Sequence, residues 1–223
     1  MKNYLYRFAR LFLGLFLYAV GTVLTIRANV GLAPWEAFHM GLSKNTGISF
    51  GKIVILVGLV IMVLSLALKE KIGFGTLCNV LFIGMFNDLI LEWQFIPQQN
   101  NFWVGILFML FGLFIISVGS FLYIGSELGA GPRDSLMIGL KKKMPAIPIG
   151  AIRGTVEGTV LLLGWLMGAK VGLGTVIAVF GISIILQFTF RLFQFDVKKL
   201  KAESISDTLS QFKQLAQKKQ LSE

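Results

Sequence analysis

Two short stretches of the sequence place an acidic residue shortly after a glycine and a proline. Residues 29–36 read NVGLAPWE, and residues 127–134 read ELGAGPRD. In each stretch the proline follows the aligned glycine by three positions and the acid follows the proline by two, so Glu36 corresponds to Asp134. A carboxylate beside a broken helix in an apolar environment is a candidate to bind a cation or to carry a proton.

The glycines and prolines of both stretches predict a turn that leads into a short helix. Proline is accommodated at the first position of a helix because no N–H is needed there, and an acid in the first turn is favoured by the positive helix end. We predict helices over residues 34–42 and 132–140, each about 14 Å long at the usual rise per residue. The residues that break the pattern are Gly31, Pro34, Gly129, Gly131 and Pro132. Such half-helices are too short to cross a bilayer, and the sequence leaves open whether they are re-entrant or interfacial.

Four further side chains are candidates for the same site as the two acids. Arg133 directly follows the second proline and adds a positive charge that would offset the acid beside it. Arg153 and Glu157 are four positions apart, so they share a helix face and partly neutralise each other. His39, the single histidine, lies within one turn of the first acid. Together with the two acids, these residues are the predicted binding site for a substrate or an ion.

Each candidate also has a purely structural interpretation. The acids can cap their own helices, and the arginine–glutamate pair can be an internal ion pair of a packing helix. A lone histidine lacks the partners that a metal ion needs. The sequence contains no zinc-ligand pair, no serine–histidine arrangement and no paired acids within a span, so we predict neither an enzyme nor a bound metal or cofactor.

The composition is that of an integral membrane protein. The chain has 223 residues, of which 55% are hydrophobic and 14% are charged, and its mean hydropathy is +0.76. A soluble domain carries nearer a quarter charged residues. Six apolar segments reach roughly the 20 residues that cross a bilayer: residues 8–26, 50–68, 72–91, 102–126, 147–169 and 171–190. Because these runs are long and lack period-two alternation, the predicted fold is all-α and polytopic.

The net charge of +10 predicts orientation rather than nucleic-acid binding, because the lysines and arginines flank the apolar runs. Connections rich and poor in basic residues alternate, which predicts a multi-pass protein of six spans with both termini in the cytoplasm. Arg27 and Lys44 depart from this pattern, since they lie in a connection predicted to be outside.

Residues 196–223 differ in character from the rest of the chain. Ser204 and Asp207 have the spacing of a capping box, and apolar residues recur at helical spacing over residues 209–215 among lysines. This predicts a cytoplasmic amphipathic helix that meets anionic lipid. A solvated, partly disordered tail is the alternative.

The chain repeats itself beyond the two stretches of the opening motif. Residues 71–76 read KIGFGT and residues 170–175 read KVGLGT, and the offset between copies is 98 in the earlier part and 99 in the later part. We therefore predict a first membrane repeat at residues 1–98 and a second at residues 99–195. Each repeat would hold three spans and one half-helix, and an odd number of spans inverts the second copy relative to the first. The Gly-x-Gly-Thr segments fit closely packed helix starts better than a nucleotide loop.

Two other features are interpreted as packing elements. Gly150, Gly154 and Gly158 recur every four residues and predict a small-residue face for close helix packing. Asn87 and Asp88 are predicted at the interfacial end of the third span.

The sequence GLAPWE at residues 31–36, GAGPRD at residues 129–134 and the two Gly-x-Gly-Thr segments resemble the YczE/YyaS/YitT-like family of bacterial integral membrane proteins. The resemblance covers about residues 8–190. It implies a polytopic protein of the bacterial inner membrane, without a defined biochemical activity and without an assigned catalytic residue.

These observations predict a small transporter or permease-like protein with a site between two inverted repeats. Its partners would be the lipid bilayer and a small solute or ion of unknown identity, and six spans leave room for a homodimer. The alternative is a non-transporting membrane protein that assists or regulates a partner complex, in which the broken segments only shape the fold.

Overall fold

A computed structural model describes residues 2–195, 203–205, 207 and 210. Within these residues the fold is all-α, as predicted, with eight helices and no strand. The helices are α1 (Lys2–Arg27), α2 (Pro34–Thr46), α3 (Phe50–Ala67), α4 (Phe74–Trp93), α5 (Phe102–Ile124), α6 (Pro132–Lys143), α7 (Ile149–Leu166) and α8 (Leu173–Leu192).

The prediction of six spans is confirmed: in the described part of the chain, α1, α3, α4, α5, α7 and α8 are long and apolar enough to cross a membrane. Their ends lie close to the predicted ones, except that α1 begins at Lys2 rather than at residue 8. The additional turns are anchored by Arg7, whose guanidinium pairs with Glu203 at 2.6 Å and donates to the carbonyl of Ser126 at 2.7 Å.

Helices α1 and α5 form the central pair of the molecule, and they approach closely at glycines. A Cβ on Gly14 would lie 2.8 Å from the carbonyl oxygen of Gly119, and a Cβ on Gly21 would lie 2.7 Å from that of Gly112. Gly112 is the copy of Gly14 and Gly119 is the copy of Gly21, 98 positions on in each case. The same offset of 98 positions relates the two contacts, and their order along the chain means that α1 and α5 run antiparallel.

The two half-helices are present and begin where the sequence predicts. Pro34 and Pro132 each occupy the first turn, together with the acid that follows, and both helices run about one turn further than predicted. The chain enters them through Gly31 at φ +127° and Gly129 at φ +134°, a backbone conformation that only glycine adopts readily. Helix α2 packs along α7, and α6 packs along α3.

The Gly-x-Gly-Thr segments hold the broken stretch of the opposite half. The N–H of Gly75 donates to the carbonyl of Leu128 at 2.7 Å, and the N–H of Gly174 donates to the carbonyl of Val30 at 2.9 Å. Each segment also starts a helix, α4 or α8, as predicted. The orientation of the two halves in a membrane, and the boundaries at residues 98 and 195, stay predictions.

The small-residue packing face predicted on α7 is wrong. A Cβ on Gly150, Gly154 or Gly158 would meet no atom of the described residues within 4 Å. The physical reason is that α7 and α8, both fully described, share almost no contact, whereas the corresponding helices α3 and α4 pack along each other.

Asn87, predicted at the interfacial end of the third span, is buried within the protein and only 1% exposed. Its neighbour Asp88 is half-buried and accepts hydrogen bonds from the Ser49 hydroxyl and the Gly51 N–H, both at 2.6 Å. Asp88 thus caps α3, which the sequence pattern did not indicate because the two segments are nearly 40 positions apart.

The predicted capping box of the tail forms in the described residues. The Ser204 N–H donates to the Asp207 carboxylate at 3.0 Å, and the Asp207 N–H donates to the Ser204 hydroxyl at 3.3 Å. The amphipathic stretch predicted at residues 209–215 lies outside the described residues, except for Ser210.

Candidate functional site

A cavity of about 790 Å³ lies between the two halves of the molecule. The first turns of α2 and α6 end at this cavity, and the middle of α7 runs along it. All six predicted candidates line it: Glu36, His39, Arg133, Asp134, Arg153 and Glu157. Of the five breaking residues, all but Gly31 line it too. The structure therefore brings together side chains from three helices, of which α2 lies about 100 positions before α6 and α7 in the sequence.

Glu36 lies in the first turn of α2, placed there by the proline two positions before it. The residue is only 7% exposed, and no described residue donates a hydrogen bond to its carboxylate or pairs with it. It therefore does not cap its helix by accepting a backbone N–H. Its carboxylate faces the cavity without a partner of its own.

Asp134 occupies the corresponding place on α6. Its carboxylate accepts a hydrogen bond from the Tyr123 hydroxyl at 3.4 Å and none from a described backbone N–H. Burial raises the pKa of Asp134 above its usual value, while the positive charges of Arg153 and Arg133 oppose this shift. Asp134 therefore keeps its proton to a higher pH than an exposed aspartate does.

Arg133 connects the two half-helices across the cavity. Its guanidinium carbon lies 4.6 Å from the centroid of the Trp35 ring, a cation–π distance. Trp35 belongs to the first turn of α2 and is buried. The contact places the beginnings of α2 and α6 beside each other, although no hydrogen bond joins these two turns among the described residues.

Arg153 and Glu157 form the predicted ion pair on α7. The Arg153 Nε donates to the Glu157 Oε1 at 2.7 Å, and the two side chains are 49% and 18% exposed. The matching positions of the first half hold Val54 and Gly58, which also line the cavity. The second half therefore adds a charged pair to a wall that is apolar in the first half.

His39 is buried among aromatic rings, with centroids of Trp35, Phe38 and Phe50 at 6.0 to 6.2 Å. Burial lowers the pKa of His39 well below its usual value, and the charge of Arg133 lowers it further. The imidazole is therefore neutral at physiological pH. No group of three or more His, Cys, Asp or Glu side chains in the described part of the chain could hold a metal ion.

Sequence reasoning missed the aromatic part of the site. Tyr18 and Tyr123 line the cavity from α1 and α5, with ring centroids 6.4 Å apart, and Trp35 lines it from α2. Tyrosines are usual at membrane interfaces, so a tyrosine in the interior of a predicted span was a signal that could have identified them. Asn79 and Ser120 add uncharged polar groups.

The fold and the cavity define the class: a polytopic α-helical membrane protein with charged side chains in a central cavity. The chain belongs to the family of unknown function DUF6198, whose model matches residues 5–191. This match spans all eight helices except the first turn of α1 and the end of α8.

Three relatives place the chain more closely. An uncharacterized membrane protein of Bacillus subtilis, YczE, is 34% identical over 181 residues, covering 80% of this chain and 82% of the relative. An uncharacterized protein of Haemophilus influenzae is 32% identical over 169 residues, covering 76% of each chain. The uncharacterized protein YyaS of Bacillus subtilis is 25% identical over 173 residues, covering 75% of this chain and 84% of the relative. The predicted resemblance to YczE and YyaS is confirmed, and no solved structure matches the chain significantly.

Proposed function

We propose that this protein is a small transporter or permease-like protein, and that its central cavity binds a small solute carrying a positively charged amino group. The observation that carries the proposal is the unpaired carboxylate of Glu36, which faces the same cavity as Asp134 although the two helices are 98 positions apart. The proposal assigns no catalytic role to any lining residue.

The charge balance of the cavity supports a cationic ligand. Arg153 and Glu157 neutralise each other as an ion pair. The remaining lining residues include three acids, Glu36, Glu127 and Asp134, and one base, Arg133, so acidic side chains outnumber basic ones. A buried charge without a partner is unfavourable by several kcal/mol, and a bound cation removes that cost.

The walls of the cavity support the same ligand class. Trp35, Tyr18 and Tyr123 present aromatic rings next to the acids. Aromatic faces attract organic cations, and a ring already stacked on Arg133 shows that this wall accommodates a positive group. The remaining lining residues from α3, α4 and α8 are mostly apolar, which suits the carbon skeleton of a small solute.

A second function, that of a membrane protein assisting a partner complex, is favoured by the exposed face of α7. Gly154 and Gly158 leave open space on that face, and small residues allow a partner helix to approach closely. In that case mutations of the cavity acids would leave the function intact, and mutations of the α7 glycines would abolish it.

A thermal-shift screen of the purified protein with amino acids, primary amines and polyamines tests the proposal. A ligand at about 100 times its Kd stabilises the folded state by about 2.7 kcal/mol, which corresponds to several degrees in Tm. We expect at least one amine to raise the Tm of the native protein but not that of Glu36→Gln. The control variant is Glu92→Gln, which changes an exposed acid at the end of α4 and should keep the full Tm shift.

Two results of the screen would contradict the proposal. If no amine in the panel raises Tm, or if the shift survives Glu36→Gln and Asp134→Asn together, the cavity acids do not bind a cationic solute. A reduced Tm of the free Glu36→Gln protein would indicate that the acid serves the fold.

A further inference from the structure

The first half of the molecule has a closed contact between α3 and α4. The backbones of Gly51 and Gly84 touch there, since a Cβ on Gly84 would lie 2.5 Å from the Gly51 carbonyl oxygen. Asp88 closes the same contact by accepting from the Ser49 hydroxyl and the Gly51 N–H. We call these four residues the α3–α4 seam.

The second half contains the same positions, 99 residues on, but they do not meet. Gly150 corresponds to Gly51 and has open space beside it. Ser183 and Gln187 correspond to Gly84 and Asp88, and both are exposed on α8. Pro148 stands where the first half has Ser49. We call Pro148, Gly150, Ser183 and Gln187 the α7–α8 seam, which is open in this structure.

The residues of the open seam are chemically suited to close. Serine is almost as small as the glycine it replaces, and Gly154 stands where Ile55 packs on Gly84 in the first half. The carboxamide of Gln187 can accept from the Gly150 N–H as Asp88 accepts from the Gly51 N–H. The open state is therefore not explained by side chains that prevent contact.

Helix α7 is anchored to α2 at its carboxyl end and has an open face at its amino end. At its carboxyl end, a Cβ on Gly164 would lie 2.5 Å from the backbone of Ala37 in α2, and Asn45 of α2 donates to the carbonyl of Met167 at 2.9 Å. At its amino end Ile152 is buried, but the face that carries Gly150 and Gly154 has open space beside it. A helix fixed at one end can swing at the other with little change in the rest of the packing.

We propose that α7 swings against α8 to close the α7–α8 seam, and that the α3–α4 seam opens when it does, so that the cavity faces the two ends of the bundle in turn. The inference rests on the proposed function, because the two seams would admit the solute to the cavity. In the predicted topology this structure is open at the cytoplasmic end and closed at the outer end. Closing carries the half-exposed Arg153 and its partner Glu157 over the cavity.

Disulfide cross-linking tests the closed α7–α8 seam directly. Pro148→Cys and Gln187→Cys are combined in a Cys78→Ala background, which removes the single native cysteine, and membranes are treated with copper phenanthroline. The matched control is Ser49→Cys with Asp88→Cys, whose native side chains lie 2.6 Å apart. We expect rapid intramolecular cross-linking of the control pair and slower but complete cross-linking of the α7–α8 pair.

The proposal is overturned if the control pair cross-links and the α7–α8 pair remains reduced. It is also overturned if the α7–α8 pair forms only an intermolecular disulfide, because the α7–α8 seam would then contact a second copy of the chain. The cross-link needs no solute, so a failure of the amine screen leaves it unaffected. If the disulfide forms but no amine changes the rate of its formation, the closing of the α7–α8 seam is supported and the proposed binding of a cationic solute is contradicted.

A bulky side chain in the open seam provides a second test. Gly154→Leu fits this structure, because no atom lies within 4 Å of the new Cβ, but it obstructs closure. We expect at least a tenfold slower cross-link of the α7–α8 pair without a loss of Tm, whereas Thr155→Leu, one position around the exposed face, leaves the rate unchanged. An unchanged rate in Gly154→Leu would contradict the proposed movement.

Discussion

Single residues in this protein act mainly through backbone freedom and through charge without a partner. Gly31 and Gly129 enable the chain to enter the half-helices at positive φ, and Glu36 and Asp134 then emerge at the cavity. The glycines determine where α2 and α6 begin, and the acids place carboxylates at the cavity.

The role of Gly31, which precedes α2, can be tested by comparison with Gly154, which has open space beside it. Gly31→Ala should lower the free energy of unfolding by more than about 1 kcal/mol, because alanine is strained at positive φ and its Cβ would lie 2.7 Å from the Gly172 nitrogen. Gly154→Ala should raise it by about 0.5–1 kcal/mol, since alanine is the better helix former. Denaturation followed by circular dichroism in detergent measures both. Equal effects of the two substitutions would contradict the assigned role of Gly31.

Helices in this protein work in pairs that the repeat relates, and the pairs differ in one respect. The α2–α7 and α6–α3 contacts correspond, and so do the hydrogen bonds from α4 and α8 to the opposite broken stretch. Only α7–α8 departs from its counterpart α3–α4. This difference between α3–α4 and α7–α8 is the observation on which the proposed movement of α7 rests.

The difference between the seams predicts unequal effects of matched mutations. Asp88→Ala removes two hydrogen bonds to a charged acceptor and should lower stability by about 1.5–3 kcal/mol. Gln187→Ala, at the matching position, should change it by less than about 0.5 kcal/mol because the residue is exposed in the open seam. The Tm of each purified variant checks this. A larger effect at Gln187 than at Asp88 would mean that the α7–α8 seam is the closed one in solution.

The whole molecule is organised around α1 and α5, with one half-helix approaching the cavity from each half of the chain. Its carboxyl-terminal segment also returns to the bundle, where the N–H of Glu203 donates to the carbonyl of Glu127 and the N–H of Ile205 to that of Ile72. The broken stretch that precedes α6 is thus held on one side by the start of α4 and on the other by this segment.

The orientation of the molecule in the membrane is tested by cysteine labelling in cells. In the Cys78→Ala background, Asn45→Cys at the end of α2 should react with an impermeant maleimide from outside, since it is in the connection predicted to be external. Lys142→Cys at the end of α6 should react only after permeabilisation. Both positions are outside the six candidate spans. Labelling of both from the same side would rule out the inverted arrangement of the halves.

The six spans, both half-helices and the membership in a family of membrane proteins could be predicted from the sequence. These features depend on local chemistry: the length of an apolar run, a proline at a helix start, a glycine at positive φ. The repeat of GLAPWE as GAGPRD also indicated which side chains correspond. The sequence did not indicate that the glycines of α7 face open space or that Asn87 is buried within the protein. Both depend on which helix lies opposite, and no spacing within one helix contains that information.

The sequence by itself determined where the chain crosses or breaks and which acids are paired by the repeat, because hydrophobic length and backbone freedom belong to short segments. Only the tertiary structure decided that Glu36 and Asp134 share one cavity with the α7 ion pair, that Arg133 stacks on Trp35, and that one seam is closed while its copy is open. These are distances between segments about 100 positions apart. They follow from how whole helices pack, and two copies of the same local sequence can pack in two different ways.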